Sequence, residues 1–176
     1  MTLTVLNRAE KETIREELRK LLILCDSEFV PPLSNRSSTT QKDLSSSNAQ
    51  SSDSAGIDAY LQGLMEQELL CAIDEGKLAG FVSYRYDYAC PEICEDTLPN
   101  IYVSTLIVSP DHRRKGLTTR MYSYLFDKFS DRRVFTRTWS ENLAHIAILA
   151  KFGFVEHFRK KNDRGEGIDT VYYSLR

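Results

Sequence analysis

The stretch Ile107-Val-Ser-Pro-Asp-His-Arg-Arg-Lys-Gly-Leu-Thr-Thr-Arg120 decides the fold, because it reads as the end of an apolar strand, a tight basic turn and the start of a helix. The first backbone N–H groups of a helix lack internal partners, so a turn that gathers several of them at one point can hold a phosphate. Gly116 supplies the close approach, and Arg113, Arg114 and Lys115 add positive charge. A basic triplet by itself is usually a solvated charge run; Pro110, Gly116 and the helix that follows favour an anion site here. Within that helix, Leu117, Met121, Tyr124 and Leu125 form a packing stripe.

Downstream, Asn142-Leu-Ala-His-Ile-Ala-Ile-Leu-Ala-Lys-Phe-Gly-Phe154 reads as a second short helix, closed by Gly153 ahead of an aromatic strand residue. The spacing places that helix over Glu141 to Phe152 with Ser140 as its cap. Upstream, Thr2 to Leu6 alternates like an edge strand, and from Glu10 onward Ile14, Leu18, Leu21, Leu22 and Cys25 recur at helical spacing. Ile57 to Gln67 is a further helix. Leu69 to Ile73 and Leu78 to Tyr88 are strands joined by the hairpin turn Asp74-Glu-Gly-Lys77. Val82, Tyr84, Tyr86 and Tyr88 share one face of the second strand, either as a half-buried sheet face or with one phenol reaching a cleft. Ile101 to Val108, Val134 to Trp139, Phe154 to Arg159 and Thr170 to Leu175 complete the strands.

Together the two glycine-bearing segments resemble the GNAT superfamily of acyl-CoA-dependent N-acetyltransferases. The family's diphosphate loop, Arg or Gln-x-x-Gly-x-Gly or Ala, falls on Arg113, Arg114, Lys115, Gly116, Leu117 and Thr118, with Thr118 departing at the last position. Its second signature matches at Asn142, Ile148 and Gly153-Phe154, but has His145 where the family has Ala and Leu149 where it has Tyr. That tyrosine is the general acid in many relatives, and the role does not transfer to leucine. The resemblance implies an α/β (α+β) fold: a mixed, mostly antiparallel sheet flanked by helices, in the order β-α-α-β-β-β-α-β-α-β-β. It implies one such domain over residues 1–176, interrupted by the polar, Ser-rich loop at about 31–56.

The resemblance also assigns the co-substrate. Acetyl-CoA would place its diphosphate on the amides of Arg114 to Thr119 and its pantetheine arm along Leu106, Ile107 and Val108, with Asn142 hydrogen-bonding the arm. No residue declares itself as the base. Tyr102 and Ser104 on the strand before the loop are candidates, as are Glu92 and Glu95, which with Asp96 either line the acceptor mouth or form a solvated loop. His145 either stacks near the cofactor or is a satisfied, partly buried histidine. The expected reaction is acetyl transfer to a primary amine of a small molecule or protein by direct attack in a ternary complex. The alternative is a non-catalytic acyl-CoA-binding or sensor domain.

Composition bounds the remaining possibilities. The 176 residues suit one core. A net charge of −2 argues against a nucleic-acid partner. No apolar run reaches the roughly 18 residues of a membrane span, and no secretion signal opens the chain, so a soluble, cytoplasmic protein is expected. Cys90-Pro-Glu-Ile-Cys94 lacks a second ligand pair, so no metal is expected. Pro31 to Gly56 is rich in Ser, Thr, Asn and Gln, and reads as a surface loop or a substrate lid. The sequence leaves the acceptor and the oligomeric state open, a homodimer among the assemblies it allows.

Overall fold

A computed structural model describes residues 1–45, 54–89 and 99–175. Seven strands form one sheet: β1 (Thr2–Val5), β2 (Glu68–Asp74), β3 (Lys77–Tyr86), β4 (Asn100–Val108), β5 (Arg133–Trp139), β6 (Val155–Lys160) and β7 (Thr170–Leu175). They lie in the order β1-β2-β3-β4-β5-β7-β6. Every neighbouring pair is antiparallel except β4 and β5. That exception is set by connectivity: β4 reaches β5 through a crossover helix, and a crossover returns the chain in parallel. The helices are α1 (Arg8–Thr13), α2 (Arg15–Cys25), α3 (Ser54–Met65), α4 (Leu117–Lys128) and α5 (Leu143–Lys151). This is the mixed α/β fold expected from the sequence.

Three local expectations change. The first helix is divided at Ile14, whose backbone (φ −105°, ψ 7°) leaves the helical region between α1 and α2. The tyrosine stripe ends at Asp87, which takes a positive φ of 49°. Tyr84 and Tyr86 pack edge-on against Phe129, whereas Tyr88 has crossed over to stack on Tyr102 at 4.6 Å. The cap of α5 is Asn142, whose side chain accepts from the His145 N–H; Ser140 instead accepts from the Asp169 N–H. The Asp74 to Lys77 hairpin forms as expected, with Glu75 and Gly76 both at positive φ as a two-residue primed turn requires.

Apolar clusters cover the two faces of the sheet. On one, α4 and α5 bury Met121, Leu125 and Leu149 against Val82, Val103 and Val171. On the other, α2 and α3 bury Leu18, Leu22, Tyr60 and Leu64 against Leu69, Phe81 and Ile107. Tyr102, Phe135 and Tyr172 form a third, smaller group. Among the described residues, no helix is long and apolar enough to cross a membrane, and no three potential metal ligands cluster.

The polar segment after Pro32 is a packed strap over its described length. Leu33, Thr39 and Leu44 are buried, the Gln67 amide donates to the Thr39 hydroxyl at 2.6 Å, and Arg137 and Lys160 donate to the carbonyls of Gln41 and Lys42. Residues 46–53 lie outside the described residues. Composition pointed to a loop because most of the anchoring is done by hydrogen bonds rather than by apolar side chains.

Candidate active site

The site begins at a fork. β4 and β5 pair only from Asn100–Arg133 to Val103–Thr136; beyond that point they separate. Two features produce the divergence. Ser104 is an extra residue in β4, since Ser83 pairs with Thr105 and Tyr84 with Val103, and such a bulge bends its strand. At the last rung the Thr136 hydroxyl donates to the Val103 carbonyl at 3.0 Å, which closes the ladder. From Ser104 to Val108 the edge of β4 that faces β5 therefore has no ladder partner among the described residues, although its other edge stays paired with β3.

A cavity of about 310 Å³ fills the fork. Ser104, Leu106, Ile107 and Val108 line it from β4, and Asn142 and His145 from the α5 end. At its mouth stands the loop that precedes α4. Arg114 and Gly116 both take positive φ, 59° and 73°, and no side chain caps α4. The first helical bond is Arg120 N–H to Gly116 O at 3.0 Å, so the amides of Leu117, Thr118 and Thr119 have no helical acceptor behind them. A Cβ on Gly116 would meet no protein atom within 4 Å, so what favours glycine there is its backbone angle. Arg114, Lys115 and Gly116 are exposed, and Leu117 is buried beneath them. These residues fit a diphosphate: amides without a helical acceptor, a left-handed turn and the Arg114 and Lys115 side chains, which no described residue pairs, converge.

Other expected residues occupy different places. Arg113 lines the cavity, but its guanidinium is held by Glu28 at 2.8 and 2.9 Å and by the Val108 carbonyl at 3.1 Å. It fastens the end of β4 to the segment after α2. Asn142 spends its amide on Thr138 (3.0 Å) and its oxygen on the α5 cap. Ser104 donates to the Gln67 side chain at 2.5 Å and shares a hydrogen bond with Ser83. Tyr102 is buried against Phe135 and Tyr172, away from the cavity lining. Glu92, Glu95, Asp96, Cys90 and Cys94 lie outside the described residues. Leu149, at the family's tyrosine position, is fully buried in the core under α5.

His145 is a satisfied, partly buried histidine, one of its two expected roles, and it also lines the cavity. Its ring stacks on Tyr122, and its Nε2 shares a 2.8 Å hydrogen bond with the Tyr122 hydroxyl. Burial pulls its pKa down to about 4, so the imidazole is neutral at pH 7. Burial likewise pushes the Tyr122 phenol up, which keeps it protonated.

Sequence reasoning did not anticipate the far wall. Arg36 from the strap and Arg164 from the β6–β7 turn are 9% and 7% exposed, and half-buried Arg137 joins them from β5. They are distant in sequence and only the fold brings them together, so no local signal could have announced the group. Glu28 is the one acid among the described residues that line the cavity, and it is engaged by Arg113.

Residues 38–154, more than half of the chain, match the acetyltransferase (GNAT) family. The chain belongs to that family. It is thereby an acetyl-CoA-dependent N-acetyltransferase. Solved structures share the GNAT fold over nearly its whole length. Aminoglycoside 6'-acetyltransferase type Ii is 17% identical, with a TM-score of 0.67 over 99% of this chain and 96% of its own. An aminoglycoside 6'-N-acetyltransferase complexed with coenzyme A is 15% identical, with a TM-score of 0.64 over 99% and 96%. Ribosomal-protein-alanine N-acetyltransferase from Brucella melitensis is 14% identical, with a TM-score of 0.62 over 99% and 99%. No curated protein matches the sequence.

Proposed function

We propose that this GNAT member transfers the acetyl group of acetyl-CoA to a primary amine of a small molecule or protein, by direct attack in a ternary complex. The observation that carries the reading is the fork: an unpaired strand edge opening from Ser104 onward, with an uncapped helix N-terminus at its mouth. A pantetheine arm can pair with that edge as an added strand, along Leu106, Ile107 and Val108. The diphosphate then falls on the amides of Arg114 to Thr119, where each charge-assisted hydrogen bond contributes about 1.5–3 kcal/mol.

A β4 amide beside the fork would stabilise the oxyanion as the amine nitrogen bonds to the thioester carbon and the carbon–sulfur bond breaks. A lysine-like amine with a pKa near 10.4 is neutral in only about one molecule in a few thousand at pH 7, so its proton must be removed first. Of the two candidates that the structure describes, Ser104 lines the cavity, where it could pass that proton through water. The thiol, with a reference pKa of about 8.5, departs as thiolate without a phenol at residue 149.

Amine-dependent thiol release from acetyl-CoA, with the acetylated product identified by mass, tests this reading. Release that follows amine concentration supports it. Coenzyme A uptake without release on any amine would overturn it in favour of a binding domain.

A further inference from the structure

The far wall of the cavity gathers three positive charges, none of them in a direct ion pair among the described residues; the one buried carboxylate beside them, Asp163, acts on Arg164 through the Thr170 hydroxyl and is itself paired with Lys160. Arg36 and Arg164 both donate to the Val30 carbonyl, at 3.3 and 2.6 Å, so their guanidinium groups meet around one oxygen. Arg137 reaches the Gln41 carbonyl and the Tyr172 hydroxyl from the neighbouring strand. Arg36 lies over the Phe29 ring at 5.4 Å and Arg164 over the Trp139 ring at 5.7 Å, with the two rings themselves in contact. No described residue hydrogen-bonds Arg137 Nε or Arg164 Nη2.

This arrangement is costly as it stands. Removing like charges from water and placing them side by side is unfavourable unless a counter-charge arrives. The cost is visible in Arg164: burial first, and then Arg36 and Arg137, pull its pKa down to about 9. Burial and Arg137 lower that of Arg36 as well, whereas for Arg137 burial is outweighed by the neighbouring Tyr102 and Tyr172 phenols, which raise its pKa. Fastening the strap to the sheet does not require this, because a neutral amide could donate to the same carbonyls without the repulsion. Guanidinium groups held over rings, as those of Arg36 and Arg164 are, with N–H donors left over, are suited to an oxyanion.

We infer that the acceptor amine carries an oxyanion, a carboxylate or a phosphate, which binds between Arg36, Arg137 and Arg164 while the amine faces the fork. The inference rests on the proposed acetyl transfer and specifies its substrate class: a zwitterionic or anionic amine, with polycations repelled.

The test compares common amino acids with their carboxamides as acceptors, with phosphoethanolamine as the phosphate arm and kanamycin as the polycation. Both thiol release and calorimetric binding to the CoA-loaded full chain are measured. At least one anionic member is expected to exceed its neutral counterpart by roughly 10- to 100-fold in kcat/KM or affinity. The better of the carboxylate and phosphate arms identifies the group. Arg137→Gln should erase that preference while coenzyme A uptake persists, and Arg137→Lys should restore part of it. Should Arg137→Gln fail to fold, the panel on the unchanged chain decides alone. Equal or better use of the amides or kanamycin would overturn the inference while leaving acetyl transfer intact, and so would neither turnover nor binding of any anionic member. Failure to take up coenzyme A at all would instead count against the proposed function beneath it.

Discussion

Gly116 and His145 show how single residues set the behaviour of the site. Gly116 holds φ at 73° in open space, so a side chain there is penalised through the backbone and, in the proposed reading, by standing in the path of the diphosphate. Left-handed backbone costs a residue with a Cβ about 1–2 kcal/mol. Gly116→Val should therefore weaken coenzyme A binding about tenfold or more by calorimetry, and Gly116→Asn, which tolerates that angle, should weaken it less. His145 makes stability depend on pH. Its folded pKa of about 4 lies below the ordinary 6.5, so between those values the unfolded chain binds more protons. This contribution is complete above pH 6.5 and is lost as pH falls towards 4. Urea midpoints should fall across that window, and His145→Gln should flatten this part of the slope. The loop was legible because a glycine after a basic run before an amphipathic stripe is a local pattern. Arg36, Arg137 and Arg164 were not, since nothing near any of them in sequence distinguishes a cavity arginine from a solvated one.

Among the elements, β4 does the positioning, because one inserted residue turns a paired strand into an open edge. The rung that ends its pairing is specific. Thr136 is buried, and its hydroxyl satisfies the Val103 carbonyl at the point of divergence. Thr136→Val keeps the shape and removes that hydrogen bond, so stability should fall by about 0.5–1.5 kcal/mol in chemical denaturation. A change below about 0.5 kcal/mol would mean that the rung does not hold the fork. Alternation and turn residues made most strands and the β2–β3 hairpin readable. The bulge at Ser104 was not, because Tyr102, Ser104 and Thr105 fit an ordinary strand in sequence and only the register against β3 exposes the extra residue. The strap over the cavity was read as a surface loop or a lid for a related reason: backbone carbonyls, which composition does not record, take much of its anchoring.

Across the whole molecule, the sheet carries a chemical gradient along one crevice. At the α4 end, amides without a helical acceptor face solvent; in the middle, a strand edge without a ladder partner among the described residues runs past Ser104; at the far wall, Arg137 and Arg164 meet Arg36 of the strap. Helices on both faces hold the sheet while the fork stays open between them. In the proposed reading, this order gives each part of a ternary complex its own physical recognition: anion on amides, amide arm on a strand edge, acceptor on side chains. The most direct test is amide chemical-shift mapping of the folded protein during titration with coenzyme A. The largest shifts should fall on Arg114 to Thr119, with a second set on Ser104 to Val108. Absent shifts, or shifts confined to other segments, would contradict the assignment of the fork as the coenzyme A site.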